Sequence, residues 1–141
     1  MIRAAQPHDL PVLSALWLDT NLEAHAFIDA AFFTDRLSLV TMAFSRAEIY
    51  ICTDTDSLVR GFIGLDGEKV AGLFVRQGCR GAGVGKALLD TAKSLRARLT
   101  LSVYDLNPRA LQFYLREGFK TVGHGYDEDS QAYFTELVWR R

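Results

Sequence analysis

The sequence has few cysteines, almost no net charge and no long apolar run. Only Cys52 and Cys79 occur, and no group of cysteines and histidines has the spacing of metal ligands. The sequence therefore argues against a metal site and against a disulfide framework, and it predicts two free thiols in a reducing compartment. A formal net charge of −1 gives no electrostatic reason to expect nucleic acid as a partner.

The sequence also leads us to expect neither a signal peptide nor a membrane-spanning segment. The N-terminal stretch MIRAAQPHDL lacks the apolar core of a signal peptide. No apolar run approaches the roughly 18 residues that a membrane-spanning helix needs. We therefore expect a cytoplasmic protein with no membrane partner.

Length and composition suit one globular domain that covers residues 1–141. The chain has 49% hydrophobic and 23% charged residues, and no linker-like or repetitive tract divides it. A domain of this length can bury a substantial apolar core.

Residue periodicity predicts a mixed α/β fold. A short strand precedes leucines at helical spacing, with Pro11 in the first turn, and two further helices follow. Alternation of apolar and polar residues, together with turn residues, then divides the remainder of the chain into strands and two helices. The strand at 69–75 is mostly apolar and is expected to be buried on both faces. The predicted strands lie at 2–5, 48–53, 58–65, 69–75, 99–103, 121–126 and 132–139, and the predicted helices at 10–17, 25–31, 34–44, 83–97 and 107–118.

A glycine-rich stretch, RGAGVGK from Arg80 to Lys86, lies between an apolar strand and a helix. Bare amides at a helix N-terminus form an anion site, because the first N–H groups lack intrahelical partners and the helix dipole is positive there. A tight turn that binds nothing is the alternative. A P-loop would need glycine at position 80 and a hydroxyl at 87, where the sequence has arginine and alanine, and no register gives the Gly-x-Gly-x-x-Gly dinucleotide fingerprint.

Two blocks of the sequence resemble those of the GNAT N-acetyltransferase superfamily. The first is Arg-x-x-Gly-x-Gly, at Arg80, Gly83 and Gly85, directly after an apolar strand. The second, LSVYDLNPRALQFYLREGF, combines a strand, an asparagine and a helix that carries Phe-Tyr and ends in Gly-Phe. The opening IRAAQPHDLPVLSALW is also similar to the family's first strand and helix, so the resemblance spans nearly the whole chain. The matching residues of the second block are Asn107, Ala110, Phe113, Tyr114, Gly118 and Phe119.

The resemblance implies a mixed, mainly antiparallel sheet with helices on both faces and a splayed pair of parallel strands that binds acetyl-CoA. Here that pair would be residues 70–75 and 99–104. The glycine loop would donate amides to the diphosphate, and the pantetheine arm would pair with the preceding strand and contact an asparagine. Arg109 and Arg116 are further candidates for the 3′-phosphate. The implied acetyl-CoA-binding residues are Leu73, Phe74, Val75, Arg80, Gly81, Ala82, Gly83, Val84, Gly85, Lys86 and Asn107.

Tyr114 is the catalytic residue that the resemblance implies, and no metal is implied. The family places a tyrosine here beside the CoA sulfur, where it protonates the departing thiolate. A phenol with a reference pKa of about 10 can donate that proton at neutral pH. Helical spacing alone would make Tyr114 a core aromatic residue, and Asn107 alone would be a helix N-cap.

The base that deprotonates the amine is left open by the sequence. Many family members carry a glutamate in the strand before the glycine loop, whereas this strand reads KVAGLFV. The remaining candidates are His25, Glu68, Asp66 or an ordered water molecule.

The resemblance implies an N-acetyltransferase that moves the acetyl group of acetyl-CoA to a primary amine by direct attack in a ternary complex. The acceptor is expected to be a small molecule, a protein lysine or a protein N-terminus, and the protein a monomer or a homodimer. A catalytically silent CoA-binding sensor or interaction module is the alternative.

Overall fold

The computed structural model describes residues 1–141, with seven strands and five α-helices. In chain order these are β1 (Ile2–Ala4), α1 (Leu10–Ala24), α2 (Ala30–Thr34), α3 (Leu37–Phe44), β2 (Glu48–Thr53), β3 (Val59–Asp66), β4 (Lys69–Val75), α4 (Val84–Leu95), β5 (Arg98–Tyr104), α5 (Pro108–Arg116), β6 (Lys120–Asp127) and β7 (Ala132–Arg140). None of the helices has the length and hydropathy that crossing a membrane requires.

The strands form one sheet in the order β1-β2-β3-β4-β5-β7-β6. Every neighbouring pair is antiparallel except β4 and β5, which run parallel. This mixed, mainly antiparallel sheet confirms the predicted fold class.

Helices cover both faces of the sheet because side chains alternate along each strand. Phe62 of β3 belongs to a buried cluster that contains Leu13 of α1. The next residue, Ile63, belongs to a second cluster with Leu88 of α4 and Tyr114 of α5. The two apolar layers therefore place α1 on one face and the two helices of the second half on the other.

The chain between α1 and α3 differs from the prediction. The helix predicted at 25–31 is wrong, because the Ile28 amide closes a turn on the carbonyl oxygen of His25 at 2.9 Å. α2 begins only after Asp29, whose Oδ1 accepts a hydrogen bond from the Ala31 amide at 3.0 Å. The helix predicted at 34–44 begins at Leu37 instead. The N-cap at Asp29 thus sets the start of α2, whereas α3 begins after Arg36, whose side chain makes no capping hydrogen bond.

β4 and β5 pair at only one position, close to where each strand begins. The one register pair joins Lys69 to Thr100, whose amide donates to the carbonyl oxygen of Glu68 at 2.9 Å. The strands then separate, and residues 72–75 are only partly buried. Burial on both faces, as predicted for 69–75, is therefore wrong: only Val70 is buried, Lys69 and Ala71 are exposed, and the second half of the strand borders an opening in the sheet.

Candidate active site

The loop between β4 and α4 presents a row of free backbone amides. None of the amides from Gly81 to Lys86 donates a well-formed backbone hydrogen bond, and the first donor after them is Ala87, to the carbonyl oxygen of Gly83 at 3.0 Å. Gly81 and Gly83 have φ of 79° and 80°, with open space where a Cβ would lie. Such φ angles strain other residues, so glycine gives this loop both its shape and its clearance for an anion.

Two adjoining cavities occupy the opening between β4 and β5. The cavity of about 690 Å³, here called the loop cavity, is lined by the glycine loop and the start of α5. The cavity of about 580 Å³, here called the aromatic cavity, is lined by aromatic residues of α1, α2, β5 and β7. Seven residues line both cavities: Asn21, His25, Leu73, Phe74, Asn107, Ala110 and Tyr114. Molecules in the two cavities would therefore meet at these seven residues, here called the junction.

The predicted binding residues gather at the loop cavity, with Ala82 as the exception. Arg109 and Arg116 line it as well. Lys86 lies at its edge, where its Nζ contacts Glu117 Oε1 at 3.0 Å and Asp90 Oδ2 at 3.5 Å. The hydrogen bond to Glu117 and the charge of Asp90 raise the pKa of Lys86. Lys86 is therefore charged beside the free amides.

Tyr114 is a junction residue whose side chain is largely buried. The side chain is 8% exposed, and its ring packs against Phe113 and Phe119 at centroid distances of 5.2 and 5.5 Å. Its hydroxyl has no protein hydrogen-bond partner. Burial raises the pKa of Tyr114 above its usual value, which keeps the phenol protonated at neutral pH. Tyr114 therefore lines both cavities as a protonated residue whose hydroxyl has no competing protein partner.

His25 also lies at the junction, inside a cage of aromatic rings. Its centroid is 4.9 Å from that of Tyr104, 5.6 Å from Phe27 and 6.1 Å from Phe33. Burial lowers the pKa of His25 to about 4, so the ring is neutral at physiological pH. Both ring nitrogens are engaged: Nδ1 lies 2.9 Å from Asn21 Oδ1 and Nε2 lies 3.1 Å from Asn107 Nδ2.

Asn21 is a junction residue that the sequence reasoning did not identify. The sequence offers one weak signal for it, because Asn21 precedes His25 by four residues and such pairs meet on one helix face. The N-cap interpretation of Asn107 is confirmed, since its Oδ1 accepts from the Ala110 amide at 3.4 Å.

Comparison with known proteins identifies the family of this fold and cleft. Residues 45–121 match the acetyltransferase (GNAT) domain family. The chain is 32% identical to the peptidyl-lysine N-acetyltransferase YiaC of Escherichia coli K12, over 99% of this chain and 96% of that protein. The chain belongs to the GNAT acetyltransferase family. It is therefore an enzyme that transfers an acetyl group to an amine.

Further GNAT proteins resemble the chain over most of its length. The peptidyl-lysine N-acetyltransferase YjaB of Escherichia coli K12 is 30% identical over 91% of this chain and 87% of that protein. The solution structure of apo-form YjaB from Escherichia coli superimposes with a TM-score of 0.88 at 28% identity, covering 99% of this chain and 96% of that one. The fold of this acetyltransferase is thus that of its GNAT relatives.

Two of the three side chains considered as the base of this GNAT enzyme lie outside the cleft. Asp66 and Glu68 line neither cavity, and Glu68 Oε1 pairs with Arg98 at 3.1 Å. The carboxylates that line the aromatic cavity are Asp127, the last residue of β6, and Glu128, the first residue of the following turn. No three His, Cys, Asp or Glu side chains are grouped to hold a metal ion.

Proposed function

We propose that this GNAT enzyme transfers the acetyl group of acetyl-CoA to the side-chain amine of a protein lysine. The observation that carries the proposal is the junction, where Tyr114 faces two cavities, one bordered by free amides and the other by aromatic rings. The names of YiaC and YjaB, both peptidyl-lysine N-acetyltransferases, support the acceptor class.

The loop cavity suits the two anionic parts of acetyl-CoA. The diphosphate accepts hydrogen bonds from the amides of Gly81 to Lys86, where the dipole of α4 adds positive potential. Arg80 and Arg109 line the same cavity. Arg116 also borders it and gives the 3′-phosphate a further cationic partner. These groups bind and orient the carrier without a metal ion.

The unpaired edge of β4 suits the pantetheine arm. Beyond Lys69 this edge has no strand partner, so the main-chain groups near Leu73, Phe74 and Val75 are available to the amides of the arm. An extended arm then adds to the sheet as a short strand, with Asn107 on the opposite side. An amide near Phe74 or Val75 also stabilises the negative charge that develops on the thioester oxygen.

The reaction joins the lysine nitrogen to the thioester carbonyl carbon. The neutral amine attacks that carbon, the C–N bond forms, and the C–S bond breaks as the CoA sulfur leaves. Tyr114 donates its phenolic proton to the sulfur, the newly acylated nitrogen releases its remaining extra proton to solvent, and the phenolate regains a proton from solvent. The position of an unpaired hydroxyl at the junction supports this role for Tyr114.

A water molecule is the best-supported acceptor of the amine proton. Lysine has a reference pKa of about 10.4, so the ammonium must lose a proton before attack. The seven junction residues include no carboxylate, and Nε2 of His25 already accepts from Asn107. Water that connects the junction to solvent relays the proton outward.

The aromatic cavity suits a lysine side chain. Its walls include Trp17, Phe32, Tyr126 and Phe134, which pack against the aliphatic stem. Glu128 lies on its rim, exposed to solvent. Its negative charge attracts the ammonium before deprotonation. An aromatic wall with an acidic rim therefore favours a long cationic side chain.

The experiment incubates the enzyme with acetyl-CoA and Nα-acetylated peptides that differ only in carrying lysine or arginine. Mass spectrometry and release of the CoA thiol report transfer. We expect acetylation of the lysine peptides alone, at Nε. Turnover of a small-amine panel without any lysine peptide would contradict the acceptor class, and absence of thiol release with every amine would contradict the proposal as a whole.

A further inference from the structure

A chain of four hydrogen bonds connects α1 to α5 through His25. Nδ2 of Asn21 donates to the carbonyl oxygen of Trp17 at 2.8 Å, and Oδ1 of Asn21 lies 2.9 Å from Nδ1 of His25. Nε2 of His25 lies 3.1 Å from Nδ2 of Asn107. Oδ1 of Asn107 in turn accepts from the Ala110 amide at 3.4 Å.

Backbone groups at both ends fix the direction of every bond in this chain. The Trp17 carbonyl can only accept, so Asn21 must present Nδ2 to it and Oδ1 to His25. The Ala110 amide can only donate, so Asn107 must present Oδ1 to it and Nδ2 to His25. His25 is therefore a donor at Nδ1 and an acceptor at Nε2. The ring must be neutral, because a proton on Nε2 would face the donor of Asn107.

The surroundings of His25 agree with a neutral ring. The aromatic cage of Tyr104, Phe27 and Phe33 holds no charged group, and burial lowers the pKa of His25 to about 4. Tyr104 is the titratable residue whose ring contacts His25. The charged residues that line the two cavities are Glu23, Arg80, Lys86, Arg109, Arg116, Asp127 and Glu128.

We propose that His25 is a positioning residue that orients the amide of Asn107 toward acetyl-CoA. Asn107 uses Oδ1 to cap α5 and one Nδ2 hydrogen to bind His25. The second Nδ2 hydrogen has no protein partner, and Asn107 lines both cavities. The planar amide is held at two points, so its free N–H has one orientation. This inference rests on the proposed function, because it assigns that N–H to the pantetheine arm.

The first test reads the tautomer of the ligand-free protein. Nitrogen-15 NMR of labelled protein at pH 7 distinguishes protonated from unprotonated ring nitrogens by their chemical shifts and their couplings to the ring protons. We expect His25 to carry its proton on Nδ1. An Nε2–H tautomer, or an imidazolium at this pH, would overturn the proposal.

The second test measures acetyl-CoA binding by calorimetry in matched variants. His25→Phe keeps an aromatic ring but removes the acceptor, and we expect Kd to rise about 5- to 30-fold, because the Asn107 donor loses its partner. His25→Gln restores an acceptor for the Asn107 donor. Its Kd should stay within about 3-fold of that of the unmodified protein, because the hydrogen bond to Asn107 is kept. Phe27→Leu removes one ring of the cage without touching the hydrogen bonds and controls for packing.

A double variant tests whether His25 acts through Asn107. Asn107→Ser keeps a capping oxygen but lacks the amide donor. In that background, His25→Phe should cause less than about a 2-fold further rise in Kd, because the interaction is already absent. If His25→Phe raised Kd by the same factor in the Asn107→Ser background as in the unmodified protein, the proposal would be overturned. Equal affinities of the unmodified protein and His25→Phe for acetyl-CoA would also overturn it.

These outcomes separate the inference from the function beneath it. If the unmodified protein fails to bind acetyl-CoA, the proposed function is wrong and the positioning role falls with it. If the unmodified protein binds and the His25 variants bind equally well, only the positioning role is wrong. Thermal melting shows whether the His25→Phe protein folds. If it does not fold, the test uses Asn107→Ser alone. Weaker acetyl-CoA binding by Asn107→Ser, together with the Nδ1–H tautomer of His25, then supports the proposal, and unchanged binding by Asn107→Ser overturns it.

Discussion

Arg80 and Glu23 form an ion pair between the glycine loop and the end of α1, at the edge of the loop cavity. Both side chains are partly exposed, so the pair contributes little to stability. Its position matters more, because Arg80 directly precedes the row of free amides. In the proposed complex, the diphosphate of acetyl-CoA competes with Glu23 for the guanidinium group of Arg80.

Glu23→Gln should therefore tighten acetyl-CoA binding. We expect KM for acetyl-CoA to fall by about 2- to 5-fold with kcat unchanged, which corresponds to a partly exposed ion pair. The effect should shrink in high salt, because salt screens the charge that was removed. Asp19→Asn makes the same change of charge on α1 at an exposed position that lines neither cavity. Equal effects of the two variants on KM would show that the ion pair with Glu23 does not reduce the contact of Arg80 with acetyl-CoA.

Tyr114→Phe should separate chemistry from binding. The variant keeps the buried ring and its contacts with Phe113 and Phe119 but removes the proton donor. We expect kcat to fall by roughly 10- to 1000-fold, with the Kd for acetyl-CoA nearly unchanged. Steady-state kinetics with calorimetry checks both quantities. Unchanged turnover would remove Tyr114 from the mechanism.

Gly83→Asp should weaken acetyl-CoA binding through its charge. Gly83 has a φ of 80°, which aspartate and asparagine both tolerate better than other residues. Gly83→Asn is thus a matched control of nearly identical shape. The carboxylate should raise Kd about 100-fold or more above that of the asparagine variant, since in the proposed complex it lies beside the diphosphate. Similar affinities in two folded variants would mean that no phosphate lies on this loop.

Glu128→Gln should affect the acceptor rather than acetyl-CoA. Glu128 is exposed on the rim of the aromatic cavity, and the neighbouring Asp129 is exposed but lines neither cavity. We expect Glu128→Gln to raise KM for a lysine peptide by about 2- to 5-fold with little change in kcat, whereas Asp129→Asn changes neither. Kinetics at saturating acetyl-CoA measures this difference. Equal effects of both variants on KM would mean that the net charge of the protein, and not Glu128 itself, attracts the lysine peptide.

Local chemistry explains which parts of the structure the sequence could predict. The glycine loop and the cap at Asn107 depend on residues close in the chain, and both patterns are visible without the fold. Alternation along β2 predicts its bounds, 48–53, because the strand packs between two neighbours. These elements have one stable local arrangement, so their sequence patterns predict them well.

Long-range contacts explain what the sequence could not predict. The hydrogen bond between His25 and Asn107 joins positions 82 residues apart. The sequence could therefore suggest His25 as a base. It could not show that Nε2 is already hydrogen-bonded to Asn107, because that contact depends on how α1 and α5 are placed in the fold. The partial burial of residues 72–75 likewise follows from the separation of β4 and β5, which no pattern within either strand encodes.

The central claim is that the free amides of Gly81 to Lys86 bind the diphosphate of acetyl-CoA. Titration of nitrogen-15-labelled protein with acetyl-CoA, followed through the backbone amide signals, tests it most directly. We predict that the largest chemical-shift changes fall on the amides of residues 81–86 as they gain hydrogen-bond acceptors. Saturable binding that leaves these six signals unmoved, or no binding at all, would contradict the account.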